Sequence, residues 1–452
     1  MFAMKLLLPV YQGPFGRAQA ERLLWRAGFG PAKGEADALA AKGLQAAVRT
    51  LTRPPSVDTF AGPDPKDSRG NPLAPADASG HDHGWWLDKM VRTNRPLVER
   101  MTLVWHDWFA TSNVGVAQQR LMIDQNELLR RFSLGSFKGL IFAITQDPAM
   151  LIWLSGYKNE QRAPNENYAR ELMELFTLGA SRGYTELDVR EQSRALTGFR
   201  ADFRRGLGWT NFRYEPTRHD SGTKGIFGKS GRFEWKDACR LCIEHPLHPS
   251  FFVTKLWSYF VPTPPNAATQ KALERLYVGE RYRVHALLEA IFRHPAFYEG
   301  PRMVKQPIVH TAGMLRAIGQ GVPRGDTWAG RDNLSGQRLF YPPDVAGWDD
   351  QRWLDTATFR GRWSTVSAVI QPFAIDARTA VDQLYDPTAL VARALAFWGN
   401  PTLSKETIEA LRGFAARGLA DAKDSTRKRL NSIYAENGLR QLIAVSPDYL
   451  TA

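Results

Sequence analysis

The stretch Pro164–Phe199, PNENYARELMELFTLGASRGYTELDVREQSRALTGF, reads as two consecutive amphipathic helices joined by a short turn. Pro164 precedes Asn165, a favoured N-cap, and Glu166 puts a negative charge in the first turn, where the helix dipole favours it. At about 100° per residue, Tyr168, Ala169, Leu172, Met173, Leu175 and Phe176 fall on one apolar arc. Glu166, Asn167, Arg170, Glu171 and Glu174 fall on the other side, and Gly179 supplies the stop. Glu166, Arg170 and Glu174 are successive i, i+4 neighbours, so the spacing sets one guanidinium between two carboxylates. The plain reading is a solvated face of ion pairs, each contributing roughly 0.2–0.5 kcal/mol. The sharper one is a carboxylate cluster lining a cleft, with Arg170 fixing the charge state of its neighbours.

The second helix opens on Thr185 with Asp188 three residues on, a capping-box-like start in which a shorter acid replaces the usual Glu. Val189, Leu196 and Phe199 form its buried stripe, Arg190, Glu191 and Arg194 point elsewhere, and Gly198 marks its end. Helical patterning of this kind recurs through most of the chain. Pro96–Phe109, Gln118–Phe132, Phe137–Thr145, Phe251–Phe260, Ala267–Tyr277, Val284–Arg293 and Pro307–Ile318 are the clearest runs. Residues 17–52 suggest two short helices around Gly28–Pro31, and 387–450 is helical again with a break at Asn400-Pro401. Between them, 54–84 is a long Pro/Asp/Gly-rich loop ending in His81-Asp82-His83, read as exposed. The region 205–233 alternates weakly between turn residues and reads as a β-hairpin or irregular excursion, with His219-Asp220 at its tip. The expectation is a mainly α fold: one large helical domain over 1–452 with a small β-hairpin excursion around 205–233.

Composition narrows the functional classes. Hydrophobic content of 43% with 23% charge is that of a folded globular chain rather than a disordered one. No window approaches the roughly 20 apolar residues of a membrane span. The balance of 59 Lys plus Arg against 46 Asp plus Glu leaves +13, which favours anionic partners. The basic residues are dispersed, with small clusters at Arg200–Arg205 and Arg427–Arg429 and no nucleic-acid motif, so nucleic acid is not the expected partner. No phosphate-binding loop, dinucleotide fingerprint or Gly-x-Ser-x-Gly elbow occurs. Cys239 and Cys242, with His245 and His248 at the same three-residue step, have zinc-like spacing. Pro246 and Pro249 interrupt the run, so a partly buried helix end is the better expectation and no metal is assigned. Lys5 followed by Leu6–Val10 is too short for a signal-peptide core, so either the protein stays in the cytoplasm or a leader has been removed.

The two opening helices closely resemble the signature of the bacterial domain-of-unknown-function 1800 family. Further landmarks follow in order. They are Leu23–Pro31 (LLWRAGFGP), Trp105–Phe109 (WHDWF), Gln146–Leu151 (QDPAML), His219-Asp220, Val304–Pro307 (VKQP), Pro342–Trp348 (PPDVAGW) and Ser446–Tyr449 (SPDY). The resemblance implies export and an association with bacteria rich in surface polysaccharide; it lends no activity. This chain departs from the family pattern at Asp344, where Asn is usual, and at Asp349-Asp350, where a Gly pair is usual.

Helix-borne carboxylates, His–Asp pairs, fourteen tryptophans and excess positive charge together fit a protein that acts on or binds an acidic polysaccharide. A hydrolase needs one protonated acid and one base or nucleophile, and a lyase needs a base beside a cation that neutralises the uronate. Glu166, Glu171 and Glu174 are the expected acids or bases, with His106, Asp107, His219 and Asp220 in proton transfer. Arg170, Arg194 and Lys305 are the expected anion-binding groups, and Trp348 and Trp353 the stacking platforms. Two alternatives stay open: a non-catalytic binding or export factor for an anionic surface polymer, and a metalloenzyme drawing ligands from His106, Glu171, Glu174 and His219. The last lacks the Glu-x-x-His repeats of di-iron bundles. No cofactor and no oligomeric state is assigned.

Overall fold

The helix expected to run up to Gly179 forms, but it changes type midway. Asn167–Glu171 is α-helical with Glu166, not Asn165, as its N-cap; Asn165 Oδ1 accepts from Asn167 N (3.0 Å) in the turn before it, and Leu172–Leu178 is a π-helix. Thr177 Oγ1 donates to the carbonyl of Leu172, five residues back. The last carbonyls of a helix have no partner within it, and buried ones must find partners elsewhere. Three side chains supply them. Lys255 Nζ donates to Leu175 O (3.0 Å), Trp108 Nε1 to Phe176 O (3.2 Å) and His248 Nδ1 to Thr177 O (2.9 Å). The π-segment is thereby pinned to the Pro96–Trp108 and His248–Ser258 helices. Thr185 and Asp188 form the expected capping box on Glu186–Ala195.

A computed structural model describes residues 8–378, 380, 384–420 and 424–452; Lys5, Leu6 and Leu7 of the amino-terminal apolar run lie outside the described residues. The fold is mainly α, as expected, with small β-hairpins. Phe199–Arg204 pairs antiparallel with Gly208–Tyr214, and Lys224–Ile226 with Lys229–Gly231. The excursion therefore starts at Phe199 rather than near 205, because Gly198 (φ +113°) turns the chain straight from helix into strand. The first segment holds three helices, Arg17–Arg26, Glu35–Ala40 and Gly43–Thr52, where two were expected. The long loop ends earlier than expected, since a helix begins at His81. His83 is fully buried, not exposed: its Nε2 donates to Asp332 Oδ2 (2.8 Å) and its Nδ1 accepts from Leu339 N (3.2 Å). No described helix is long and apolar enough to cross a membrane.

Two apolar clusters fill the interior. One gathers Leu97, Met101, Trp105, Trp108, Phe137 and Phe252; the other gathers Trp86, Met90, Ile308, Leu315, Trp398 and Tyr449. The Arg17–Arg26 helix sends Leu23 and Leu24 into the first and Trp25 into the second. It runs along the seam between them, and the seam is where polar groups collect.

Buried imidazoles are part of both clusters. His106 Nε2 accepts from Phe340 N (3.2 Å), and burial pushes its pKa down to about 3. His248, bridging Thr177 O and Tyr277 OH, is pushed by burial down to about 4. Folded values below the ordinary 6.5 mean that the unfolded chain takes up protons first as pH falls. This stabilisation is complete above about pH 6.5 and is lost between there and the folded values, by at most about 1.4 kcal/mol per pH unit per histidine. Urea unfolding at pH 7.5 and pH 5 should therefore show a clear loss at pH 5. His106→Gln, which keeps an acceptor for Phe340 N, should make that loss smaller; an unchanged difference would mean that His106 is already protonated in the fold.

Candidate functional site

Contacts join the expected site residues in sets: Arg170 with Glu166, Arg194 with Asp220, and Trp348 with His106 and Asp107. Arg170 donates to Glu186 from both terminal nitrogens (2.9 and 2.7 Å) and to Glu166 (3.3 Å). It does not pair with Glu174, as the helical spacing had suggested. The π-turn alters the register after Glu171, and Glu174 instead accepts from Tyr184 OH (3.3 Å). The Arg170 pairs are solvent-exposed and contribute little stability. Glu171 has no hydrogen-bond partner among the described residues; burial and then Glu174 push its pKa up, against Arg170.

His219 and Asp220 form a structural clasp. His219 Nδ1 donates to Thr197 O (3.0 Å), and Asp220 takes Arg194 Nε (2.8 Å) and Gly222 N (2.9 Å). Arg194 also grips Glu191 (2.8 Å), so its cation is already satisfied by two carboxylates. The four zinc-type residues diverge. Cys242 Sγ accepts from Gln192 (3.0 Å), Cys239 Sγ meets Thr145 Oγ1 (3.2 Å), His248 is in the core, and His245 lies at the surface side. Burial pushes both thiols up to about 12. Among the described residues no three His, Cys, Asp or Glu side chains are grouped to hold a metal, including the set His106, Glu171, Glu174 and His219.

Asp107 clamps the Pro342–Trp348 loop. Its Oδ1 accepts from Trp348 N (2.9 Å) and its Oδ2 from Tyr259 OH (2.7 Å). Trp348 rests half-buried with its ring 5.4 Å from that of His106. Trp353 is buried, with its carbonyl accepting from Arg362 Nε (3.0 Å), so it is no stacking platform. Asp344 accepts from Ala346 N through Oδ1 (2.8 Å), a role that Asn fills equally, so that departure from the family pattern is structurally neutral. Gly347 sits at φ +95°, and an added Cβ would lie 2.3 Å from Asp107 Oδ1. Gly347→Ala should destabilise by on the order of 2 kcal/mol or more in denaturant unfolding. A neutral result would show that the loop shifts freely.

Lys305 is elsewhere, and buried. It lines a cavity of about 150 Å³ at the seam, with Arg22, Arg302, Glu21, Trp25, Asp448 and Tyr449 among the walls. Lys305 Nζ lies 3.5 Å from the centre of the Trp25 ring and 4.8 Å from that of Tyr449, and donates to Tyr449 O (2.5 Å). Burial pulls its pKa well below the usual range; Glu21 opposes this, and Arg302 and Arg362 add to it. Both carboxylates are engaged. Glu21 takes Arg17 Nε (2.9 Å) and Thr402 N (3.0 Å), and Asp448 takes Arg302 (2.5 Å) and Ser404 N and Oγ (2.8 and 2.7 Å). Arg22 donates to the carbonyls of Tyr298 and Gly300 and meets no carboxylate. Tyr449 OH is buried without a hydrogen-bond partner among the described residues. The cavity is therefore a cationic recess whose acids are spent. Sequence reasoning found Lys305 but missed Arg22, Arg302, Asp448 and Tyr449 as its companions. The signal was there, since the Leu23–Pro31, Val304–Pro307 and Ser446–Tyr449 landmarks are the segments that meet here.

No curated protein and no solved structure matches this chain. A family model described as a protein of unknown function (DUF1800) matches residues 22–451, and the chain belongs to that family.

Proposed function

We propose that this protein binds an acidic polysaccharide, seating one carboxylate or sulfate group in the recess between Arg22, Arg302 and Lys305. The recess carries this reading: Arg22 and Lys305 meet no carboxylate among the described residues, while Glu21 is taken by Arg17 and Asp448 by Arg302 itself. An entering anion meets Arg302 at the exposed mouth and half-buried Arg22, and reaches Lys305 at the back. Burial disfavours the Lys305 ammonium, and an anion beside it restores that charge, so binding and protonation reinforce each other. Trp25 and Tyr449 offer ring faces there, but Lys305 already covers them, so contact with sugar rings falls to the rim. None of Glu166, Glu171 and Glu174 lines this recess, which favours binding over cleavage at this place.

One observation favours a second reading. Glu171, half-buried, unpartnered and raised in pKa beside Glu174, has the profile of a general acid. A hydrolase or lyase acting on the same class of polymer would use this pair on the Asn167–Leu178 segment.

Retention on polygalacturonate or heparin against neutral dextran separates the two. Arg22→Gln should weaken binding to the acidic polymers by about tenfold, and Arg302→Gln, at the exposed mouth, by less, as expected of a rim charge. Arg412→Gln, at an exposed site away from the recess, controls for the general attraction of a +13 chain. Loss of affinity equal to that of the control would overturn the recess as the site. Release of oligosaccharides that Glu171→Gln or Glu174→Gln abolishes would establish the second reading instead.

A further inference from the structure

The Arg200–Arg205 cluster lines no part of the Lys305 recess. It runs along the first strand of the Phe199–Tyr214 hairpin and into its turn. The foot of this hairpin is anchored. Phe199 is buried against Tyr214 and Trp235, and Arg200 Nη1 donates to Glu160 (2.7 Å). The turn is held as well. Gln118 Nε2 donates to the carbonyls of Leu207 (3.2 Å) and Trp209 (3.1 Å), and its Oε1 accepts from Trp209 N (2.8 Å). Leu207 N closes the turn on Arg204 O (3.0 Å), with Gly206 at φ +82° in the third position, where glycine is favoured. Trp209 packs on Tyr157 (ring centres 4.3 Å) and meets Phe203 across the strands (5.3 Å).

The tip so fixed is apolar and cationic at once. Phe203–Leu207 is an unbroken exposed run, with Phe203 64% and Leu207 66% exposed. Arg204 and Arg205, between them, form no ion pair among the described residues. Asp202, the nearest carboxylate along the strand, is taken by Arg213 (3.0 Å) and Asn211 (2.7 Å). Leaving two large apolar side chains in water costs free energy, and the Gln118 clamp denies the turn the freedom to fold them inward. An occupant must match both features. An acidic polysaccharide would satisfy the guanidiniums, but it offers nothing to the aliphatic Leu207, and an outward turn surrounds no sugar. A second copy of this +13 chain would bring like charge to like. A lipid interface matches both, with phosphates at the level of the arginines and acyl chains just beneath for the apolar pair.

We propose that the Phe203–Leu207 tip docks the protein on an anionic phospholipid surface, inserting Phe203 and Leu207 into the interface while Arg204 and Arg205 pair with the phosphates. The docking is peripheral, and it does not depend on what fills the Lys305 recess.

Flotation of the full chain with vesicles tests this. The protein should float with mixed phosphatidylglycerol–phosphatidylcholine vesicles and not with phosphatidylcholine alone. Phe203→Ser combined with Leu207→Ser should change Tm little and weaken vesicle binding by at least about tenfold. Arg204→Gln combined with Arg205→Gln should weaken it by about fivefold for each charge. Arg412→Gln combined with Arg417→Gln, both at exposed sites, should weaken it by less. Depth is read separately. Both native cysteines are buried, so Leu207→Cys takes a single environment-sensitive fluorophore. Its emission should shift to the blue on vesicles and be quenched by spin-labelled acyl chains. No flotation, or an unshifted fluorophore on bound vesicles, would overturn the proposal. Equal losses in the Arg412 and Arg417 control would do the same, by showing only the general attraction of a basic chain. So would loss of polygalacturonate retention, in place of vesicle binding, in the Phe203 and Leu207 variant, which would make the tip a polysaccharide contact.

Discussion

Arg26 gives its guanidinium to main-chain oxygens: Phe260 and Phe297 through Nη1, Pro301 and Ala452 through Nη2, and Ala452 again through Nε. Arg362, fully buried, does the same with Trp353 and Lys305. Arg316 reaches Gly30 and Val91 as well as Glu35. Carbonyl ligation satisfies donors but does not neutralise charge. An interior built this way keeps a positive potential wherever such groups collect, and they collect along the seam between the two apolar clusters. The recess holding Lys305 inherits that potential. If it binds anions as proposed, that preference rests on the way the seam is cross-linked, beyond the few side chains at its mouth.

The π-segment follows the same logic with the signs exchanged. There the helix presents surplus acceptors, and Trp108, Lys255 and His248 bring the donors. Lys255 also lies over the Trp108 ring (4.4 Å) and near Asp107, and burial lowers its pKa to about 8. One lysine thus ties together the π-segment, the tryptophan of the Trp105–Phe109 landmark and the aspartate that clamps the Pro342–Trp348 loop. Such landmarks read as chemistry when seen as strings of His, Asp and Trp. In the fold most of them join one element to another.

What the sequence made legible was local. The Thr185–Asp188 cap, and helices at Phe137–Thr145 and Val284–Arg293, depend on residues a few positions apart, and periodicity reaches that far. The π-turn escaped because Leu172–Leu178 has ordinary α-helical periodicity; its cause lies in donors from residues 108, 248 and 255. The link between Glu174 and Arg170 failed for the same reason. His83 and Trp353 escaped because a polar or Gly/Pro-rich neighbourhood suggests exposure; His83 is buried against Asp332, 249 positions on, and Trp353 is held by Arg362 in the following helix. The recess is the extreme case. Lys305 was legible as a cation, but nothing within twenty residues of it names Arg22 or Tyr449.

The ligands of Arg26 lie between 234 and 426 positions away in sequence. A group tied to partners so remote cannot be satisfied by any early, local stage of folding, since closing such long loops costs entropy before the contacts return it. Until segments near residues 260, 297, 301 and 452 have all arrived, this guanidinium has only water for company, and burying Leu23, Leu24 and Trp25 of the same helix would dehydrate it unpaired. The seam is therefore expected to close last. Cooperativity across the two apolar clusters would then be imposed by one arginine, whose dehydration is tolerable only when the whole chain is in place.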